Sequence, residues 1–190
     1  LEDIAMMRSI PESIVLYPSD GVATYKLVEQ MANYHDGISY IRTTRASKQM
    51  LYNKNESFPI GGCKVLKKNR KDKACIVAAG ITLHEALRAY EKLQEKGISV
   101  SVIDLYSIKP IDSKTIIATA KASNHTVITV EDHYLEGGLG EAVQTALSCT
   151  TTCIKSLAVE KISRSGKPEE LMRDAKIDAE AIVEAIKKLI

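Results

Sequence analysis

The sequence predicts an α/β protein organised around a mostly parallel sheet, on three observations. Short apolar runs bounded by Gly, Pro or polar residues alternate with longer stretches of helical period, most regularly from Lys64 to the end. The runs from Ala74 onward are apolar enough to be buried on both faces, as central parallel strands are. Helix-start signals recur between them: Thr82 with Glu85, Asp112 and Asp178.

In order along the chain, Asp3 to Ile10 reads as a short helix stopped by Pro11, and Ser13 to Tyr17 as a short strand bounded by Pro18. Ser19 and Asp20 supply caps for a helix on which Val22, Leu27, Val28 and Met31 form a rough stripe and which ends near Gly37. Ile38 to Arg42 is the next strand, completing a strand, helix, strand unit. Thr43 to Gly62 holds Asn53, Asn55, Pro59 and the pair Gly61-Gly62 without a sustained period, and reads as the linker between two domains. Lys64 to Lys68 is a short lysine-rich strand suited to a solvent-facing edge, and Ala74 to Ala79 a strand ended by Gly80. Thr82 and Glu85 are expected to form a capping box for a helix striped by Leu83, Ala86, Leu87, Tyr90 and Leu93 and closed by Gly97. Strands at Ile98 to Ile103, Thr126 to Val130 and Cys153 to Val159, with helices after Asp112, Gly140 and Asp178, complete five strands and four helices. Their natural arrangement is a three-layer α/β sandwich.

Composition excludes several classes. With 45% hydrophobic and 26% charged residues, the 190-residue chain is neither disordered, collagenous nor a coiled coil. The net charge of +2 divides into +4 over residues 1–73 and −2 over residues 74–190, without the basic excess of a nucleic-acid binder. The longest apolar run, Ala74 to Leu83, includes Gly80 and Thr82 and falls short of the roughly 18 residues that read as a membrane span. No signal-peptide pattern opens the sequence. Cys63, Cys75, Cys149 and Cys153 are too sparse for a disulfide scaffold, so free thiols in a reducing compartment are expected. The first residue is Leu1 rather than Met, which points to a fragment or processed product.

Among the stretches that could carry chemistry, Glu131 to Glu141 follows a predicted strand and opens a helix, with Gly137, Gly138 and Gly140 between acidic residues and His133. Such a place suits a phosphate cradle, with Glu131, Asp132 or His133 as acid, base or metal ligand. Its spacing does not match the dinucleotide fingerprint and its acidic residues repel an anion, so a structural turn or subunit contact is the better reading. Lys64, Lys67, Lys68, Arg70, Lys71 and Lys73 lack interleaved aromatics for base stacking and read as a solvated turn. Cys149 and Cys153 have no zinc-type partners in spacing and read as buried or half-buried thiols. His35 and His84 read as surface or capping residues, and His125 has no evident partner. Arg42-Thr43-Thr44-Arg45 lies just past the end of a predicted parallel strand, where a guanidinium can grip a phosphate through two N–H bonds or simply form a surface ion pair.

Several motifs resemble the transketolase family, the animal type in particular: Leu1 to Met6, Tyr17-Pro18-Ser19-Asp20 through Thr24, Ile41 to Arg45, Ile108-Lys109-Pro110-Ile111-Asp112, Glu131 to Val143, and Arg164-Ser165-Gly166-Lys167-Pro168 through Leu171. The Ile108 to Asp112 and Glu131 to Gly140 motifs also occur in relatives such as deoxyxylulose-phosphate synthase and the beta subunits of 2-oxo acid dehydrogenases. The Tyr17 and Arg164 segments favour transketolase. The resemblance implies a C-terminal domain with a mostly parallel, mixed five-strand sheet over residues 60–190, a linker at 46–59, and the last part of a pyrimidine-binding domain at 1–45. It implies an enzyme of the pentose phosphate pathway, cytoplasmic and homodimeric, that uses thiamine diphosphate and a divalent metal (Mg or Ca) to move a two-carbon ketol unit from a ketose phosphate to an aldose phosphate. The family's cofactor and metal residues correspond to none of these positions, so no cofactor is expected on this chain alone and the chain alone is expected to be inactive. Arg45 matches the arginine that binds the substrate phosphate and is the one substrate-binding residue carried over; Ala46 stands where animal members usually have Pro. Arg42 is expected to be structural. The alternatives are a non-catalytic dimerisation or binding module, or the equivalent part of a related thiamine-diphosphate enzyme, deoxyxylulose-phosphate synthase or a 2-oxo acid dehydrogenase beta subunit.

Overall fold

The computed structural model describes residues 1–45 and 49–190; Ala46, Ser47 and Lys48 lie outside the described residues. In chain order the elements are α1 (Asp3–Ser9), β1 (Ile14–Leu16), α2 (Gly21–Met31), β2 (Ser39–Ile41), β3 (Lys64–Lys67), β4 (Ala74–Ala78), α3 (Gly80–Glu95), β5 (Val100–Asp104), β6 (Ser107–Lys109), α4 (Ser113–Ala122), β7 (Thr126–Tyr134), α5 (Leu139–Leu147), β8 (Cys153–Val159), α6 (Pro168–Asp174) and α7 (Ala179–Leu189). The large sheet has the order β3-β5-β4-β7-β8. Its strands β5, β4, β7 and β8 run parallel and β3 runs antiparallel to β5, which makes the mixed five-strand sheet.

The sheet separates two apolar layers. On one face Ile76, Val102 and Ile128 meet Leu83 and Leu93 of α3 and Ile182 of α7. On the other Val77, Ile103 and Val127 meet Ile116 of α4 and Val143 and Leu147 of α5. Every residue of β4 and β5 is buried, as both-face coverage requires. The lysine-bearing β3 alternates half-buried and exposed residues at one edge, as its composition predicts. At the opposite edge β8 departs from the expectation of full burial: Cys153, Lys155 and their neighbours are exposed or half-buried, and only Ala158 and Val159 are buried. Asp20, Asp112 and Asp178 cap α2, α4 and α7, accepting from the amides of Ala23, Thr115 and Ala181 at 2.8, 3.0 and 3.0 Å.

The expected capping box at Thr82 and Glu85 is not formed. Helix α3 begins three residues earlier than that box requires, at Gly80, so Thr82 lies inside the first turn and its hydroxyl donates to the carbonyls of Ala79 and Val130, both at 2.9 Å. Glu85 instead accepts from the Ala179 amide at 3.0 Å, joining α3 to the start of α7. Two further elements escape the sequence pattern: β6 is three residues long and α6 seven, too short to show a period.

A second, smaller sheet has the order β2-β1-β6, with β1 parallel to β2 and antiparallel to β6. One sheet therefore draws strands from both ends of the segment read as a linker. That segment is not a loose connection: Tyr52 and Phe58 are 6% and 2% exposed, and Phe58 stacks edge-on against Tyr52 and Tyr106 with ring centroids 4.9 and 5.1 Å away. These rings join Ile14, Leu16 and Leu27 in a third apolar cluster. A polar tie reinforces it, because the fully buried Asp104 accepts from the hydroxyls of Tyr52 at 2.5 Å and Ser19 at 3.0 Å.

Candidate functional site

The chemistry-bearing residues converge at the carboxyl ends of β1, β2 and β7, where open α/β sheets present their loops. Strand β7 runs on through Tyr134, so Glu131, Asp132 and His133 are strand residues and not loop residues as the sequence suggests. Strand alternation sends their side chains in different directions.

Glu131 sits against the start of α5. Its Oε2 accepts from the Leu139 amide at 2.6 Å and its Oε1 from the Gly140 amide at 2.9 Å. A Cβ at Gly138 would lie 2.0 Å from Glu131 Oε2, and one at Gly140 2.8 Å from Oε1. The glycines thus make room for the chain's own carboxylate, and the anion held at this helix start is Glu131 itself. Burial pushes its carboxyl up to about 7, against the two amide bonds that favour the charge. His133 is fully buried, accepts from the Ala5 amide at Nε2 (3.3 Å) and faces the Tyr134 carbonyl at Nδ1 (2.6 Å). Arg8 donates to the carbonyls of Gly137 and Gly138. The stretch is a structural turn that fastens α1 to α5.

Asp132 belongs to a different constellation. Its Oδ2 accepts from the Tyr17 hydroxyl at 3.0 Å and lies 3.4 Å from Arg42 Nη2, which also donates to the Asp132 carbonyl at 3.1 Å. Arg42 Nε lies 3.4 Å from Asp3 Oδ2, which accepts from the Tyr40 hydroxyl at 2.7 Å, and the guanidinium stacks 5.0 Å from the Tyr17 ring centroid. Burial acts against the Arg42 charge, but Asp132, Tyr17 and Asp3 outweigh it and hold its pKa up. Burial raises the Asp132 carboxyl despite Arg42 and Tyr17. For Asp3, burial is offset by Tyr40 and Arg42, and the net direction is down. Arg42 is structural, as expected: it follows the last residue of β2, and its amide donates to the Leu16 carbonyl at 2.9 Å.

Arg45 is exposed, three residues further on. Among the described residues the chain is next held by hydrogen bonds where the Leu51 and Tyr52 amides donate to Asp20 Oδ2 at 2.8 and 3.0 Å. The remaining candidates do not join this site. Lys68, Arg70, Lys71 and Lys73 are exposed on a turn organised by buried Asp72, which accepts from the Asn69 amide and the Ser99 and Ser101 hydroxyls. Cys63, Cys75, Cys149 and Cys153 are free, but Cys149 and Cys153 are exposed and not buried as expected, Cys153 because it begins the edge strand β8. His84 Nε2 meets the Ser19 carbonyl at 2.7 Å, His35 is exposed, and His125 Nδ1 is buried without a partner among the described residues. Among the described residues no group of three or more His, Cys, Asp or Glu could hold a metal ion.

Sequence reading missed the Asp132–Arg42–Asp3 network. Each member lies in a motif that the sequence singles out, but only the fold brings residues 3, 17, 42 and 132 together. The sequence carries no signal for it: Thr126 to Val130 reads as a doubly buried run, and the polar Glu131-Asp132-His133 that follows gives no sign that the strand runs on through Tyr134.

These features define a class: a three-layer α/β domain whose parallel sheet is bordered by one antiparallel strand, joined through a shared small sheet to a short αβαβ segment. The chain belongs to the transketolase family. The family model of the transketolase C-terminal domain matches residues 63–182, and that of the transketolase pyrimidine binding domain matches residues 1–49. Transketolases of Mus musculus and Homo sapiens are 49% and 48% identical over 191 aligned residues, covering 100% of this chain and 30% of theirs. The chain thus spans about a third of the length of the curated relatives it matches. Among solved structures, a chain described as split gene transketolase, inactive beta4 tetramer, superposes with a TM-score of 0.90 at 32% identity, covering 99% of this chain and 60% of that one. Transketolase from Campylobacter jejuni superposes at 0.76 and 21% identity, covering 99% and 28%. No helix among the described residues is long and apolar enough to cross a membrane.

Proposed function

We propose that this chain is the C-terminal part of a cytoplasmic, homodimeric transketolase, which moves a two-carbon ketol unit from a ketose phosphate to an aldose phosphate in the pentose phosphate pathway, and that Arg45 binds the substrate phosphate. The observation that carries the reading is the position of Arg45: exposed, just past the carboxyl end of a parallel strand, and inside the span that matches the pyrimidine binding domain. A planar guanidinium there presents paired donors to a phosphate at the open end of the sheet. Four free cysteines suit a reducing compartment.

The family implies thiamine diphosphate and a divalent metal, but the described residues do not fit that group. A metal-bound diphosphate needs clustered oxygen ligands and free amides, whereas no such cluster is present among the described residues and the amides at the start of α5 are taken by Glu131. No step of the reaction is therefore assigned to these residues, and the role left to them is to bind and place the sugar phosphate. The resemblance to a chain described as an inactive beta4 tetramer supports the expectation that this chain alone is inactive. Calorimetric titration of the 190-residue chain with thiamine diphosphate and Mg is expected to show no micromolar binding; such binding would overturn this division of labour.

In the complete enzyme, Arg45→Ala is expected to lower kcat/KM for a ketose phosphate by about one to two orders of magnitude, the equivalent of roughly 1.5–3 kcal/mol for a charge-assisted contact. The loss should fall mainly on KM, because the phosphate is remote from the reacting carbons, and should be small for the dephosphorylated analogue. Arg45→Lys should recover only part of it. Equal losses on both substrates would remove Arg45 from the phosphate site.

A further inference from the structure

We infer that Asp132, near the carboxyl end of strand β7, is a positioning residue for phosphate binding: through Arg42 it fixes the stem from which Arg45 projects, an inference that rests on the assignment of Arg45 to the phosphate. Among the described residues, Thr43, Thr44, Arg45, Gln49 and Met50 make no hydrogen bond. The last contacts before Arg45 are those of Arg42: its amide on Leu16, and its guanidinium on Asp132 and Asp3. Where Arg45 stands in space is therefore set on this side by how firmly Arg42 is held.

Asp132 does most of the holding. Its carboxylate and its carbonyl both face Arg42 Nη2, and Tyr17 orients the carboxylate from beneath while its ring lies against the guanidinium. Arg42 and Asp132 side chains are only 13% and 14% exposed, against 28% for Asp3. A buried guanidinium whose main counter-charge is removed is drawn toward water, and the three-residue reach from Arg42 carries that shift to Arg45. Arg42 Nη1 and Asp132 Oδ1 are buried without a partner among the described residues, so once the Asp132 charge is gone Arg42 is left with Asp3, the Asp132 carbonyl and the Tyr17 ring. Placement errors of this size are costly in a site that relies on a fork of paired N–H bonds. The domain that matches the C-terminal family model, which on this reading touches no substrate atom, would thus set the affinity of the neighbouring unit for phosphorylated sugars.

The test is a double-mutant cycle in the complete enzyme with Asp132→Asn, which keeps shape and removes charge, Arg45→Ala, and the pair. KM and kcat are measured for a ketose phosphate and its dephosphorylated analogue. Asp132→Asn is expected to raise KM for the phosphorylated substrate about tenfold, to leave the analogue within about twofold, and to add nothing further once Arg45→Ala is present. Tyr17→Phe, which removes only the hydroxyl that orients Asp132, should act in the same direction and more weakly, and decides the matter if Asp132→Asn does not fold. Equal losses on both substrates would make Asp132 merely structural and overturn the inference. A selective loss that persists unchanged beside Arg45→Ala would overturn the route through Arg45. If Arg45→Ala is itself unselective, the assignment of Arg45 fails first and is recognised by that variant alone.

Discussion

Gly80→Ala is expected to destabilise the protein by about 2–5 kcal/mol, read as a lowered midpoint in urea or guanidinium unfolding. Gly80 opens α3 at φ +55°, in the left-handed region, and a Cβ there would lie 2.0–2.4 Å from three ring atoms of Tyr17. Tyr17 is 2% exposed and cannot yield without giving up its bond to Asp132 and its stacking on Arg42. Backbone strain accounts for about 1–2 kcal/mol of the effect and overpacking for the rest. Gly97 supplies the control: it also has positive φ, +71°, but nothing lies within 4 Å of its missing Cβ. Gly97→Ala should therefore show the backbone part alone. Equal costs for the two substitutions would mean that Tyr17 does not pack over the start of α3.

A second large effect concerns Asp104, which is fully buried and whose carboxyl burial pushes up to about 7, in spite of the hydroxyls of Tyr52 and Ser19 that favour its charge. Asp20 nearby raises it further and Lys64 lowers it. A carboxyl whose folded pKa exceeds its unfolded value, near 3.9, contributes stability below that unfolded value and loses the contribution as pH rises through the folded one. Asp104→Asn is neutral throughout, and both hydroxyls can turn to suit an amide. The stability difference between the two proteins should therefore move in favour of Asp104→Asn by about 4 kcal/mol between pH 4 and pH 8, measured by denaturant unfolding at several pH values. A difference that stays constant over that range would show that Asp104 is ionised in the folded protein throughout and that burial does not raise its pKa.

The sequence carries most of the large sheet because its signals are local. Apolar runs such as Ala74 to Ala78 and Asp caps such as Asp112 and Asp178 act within a few residues, and the structure places them as read. What it hides is non-local. Thr82 and Glu85 have the right types and spacing for a capping box, but the helix starts at Gly80 and both side chains serve neighbouring elements. Ser107 to Lys109 becomes a strand only because β1 lies beside it. Tyr52 and Phe58 sit among Asn and Pro residues that read as linker, and only Tyr106, some 50 residues away, gives them something to bury against. At the site, Arg42 and Arg45 are legible as cations at a strand end. Their different fates follow from Asp132, 90 residues downstream, which no spacing rule connects to Arg42.

The pairing of β1 with β6 also orders events in time. A ribosome delivers β2 soon after β1, but Ser107 to Lys109 emerges some 90 residues after Leu16. At typical synthesis rates that is a wait of roughly 5–20 seconds. For that interval the amides and carbonyls along one side of Ile14 to Leu16 have no native partner, on a strand whose three side chains are all apolar. The nascent chain is therefore open to pairing with a strand of another molecule, and any stall of translation between residues 41 and 107 lengthens the exposure. The arrival of Lys109 closes it twice over, since the same residue that completes the ladder also sends its ammonium to the carbonyls of Arg8 and Ile10 and locks the preceding helix in place.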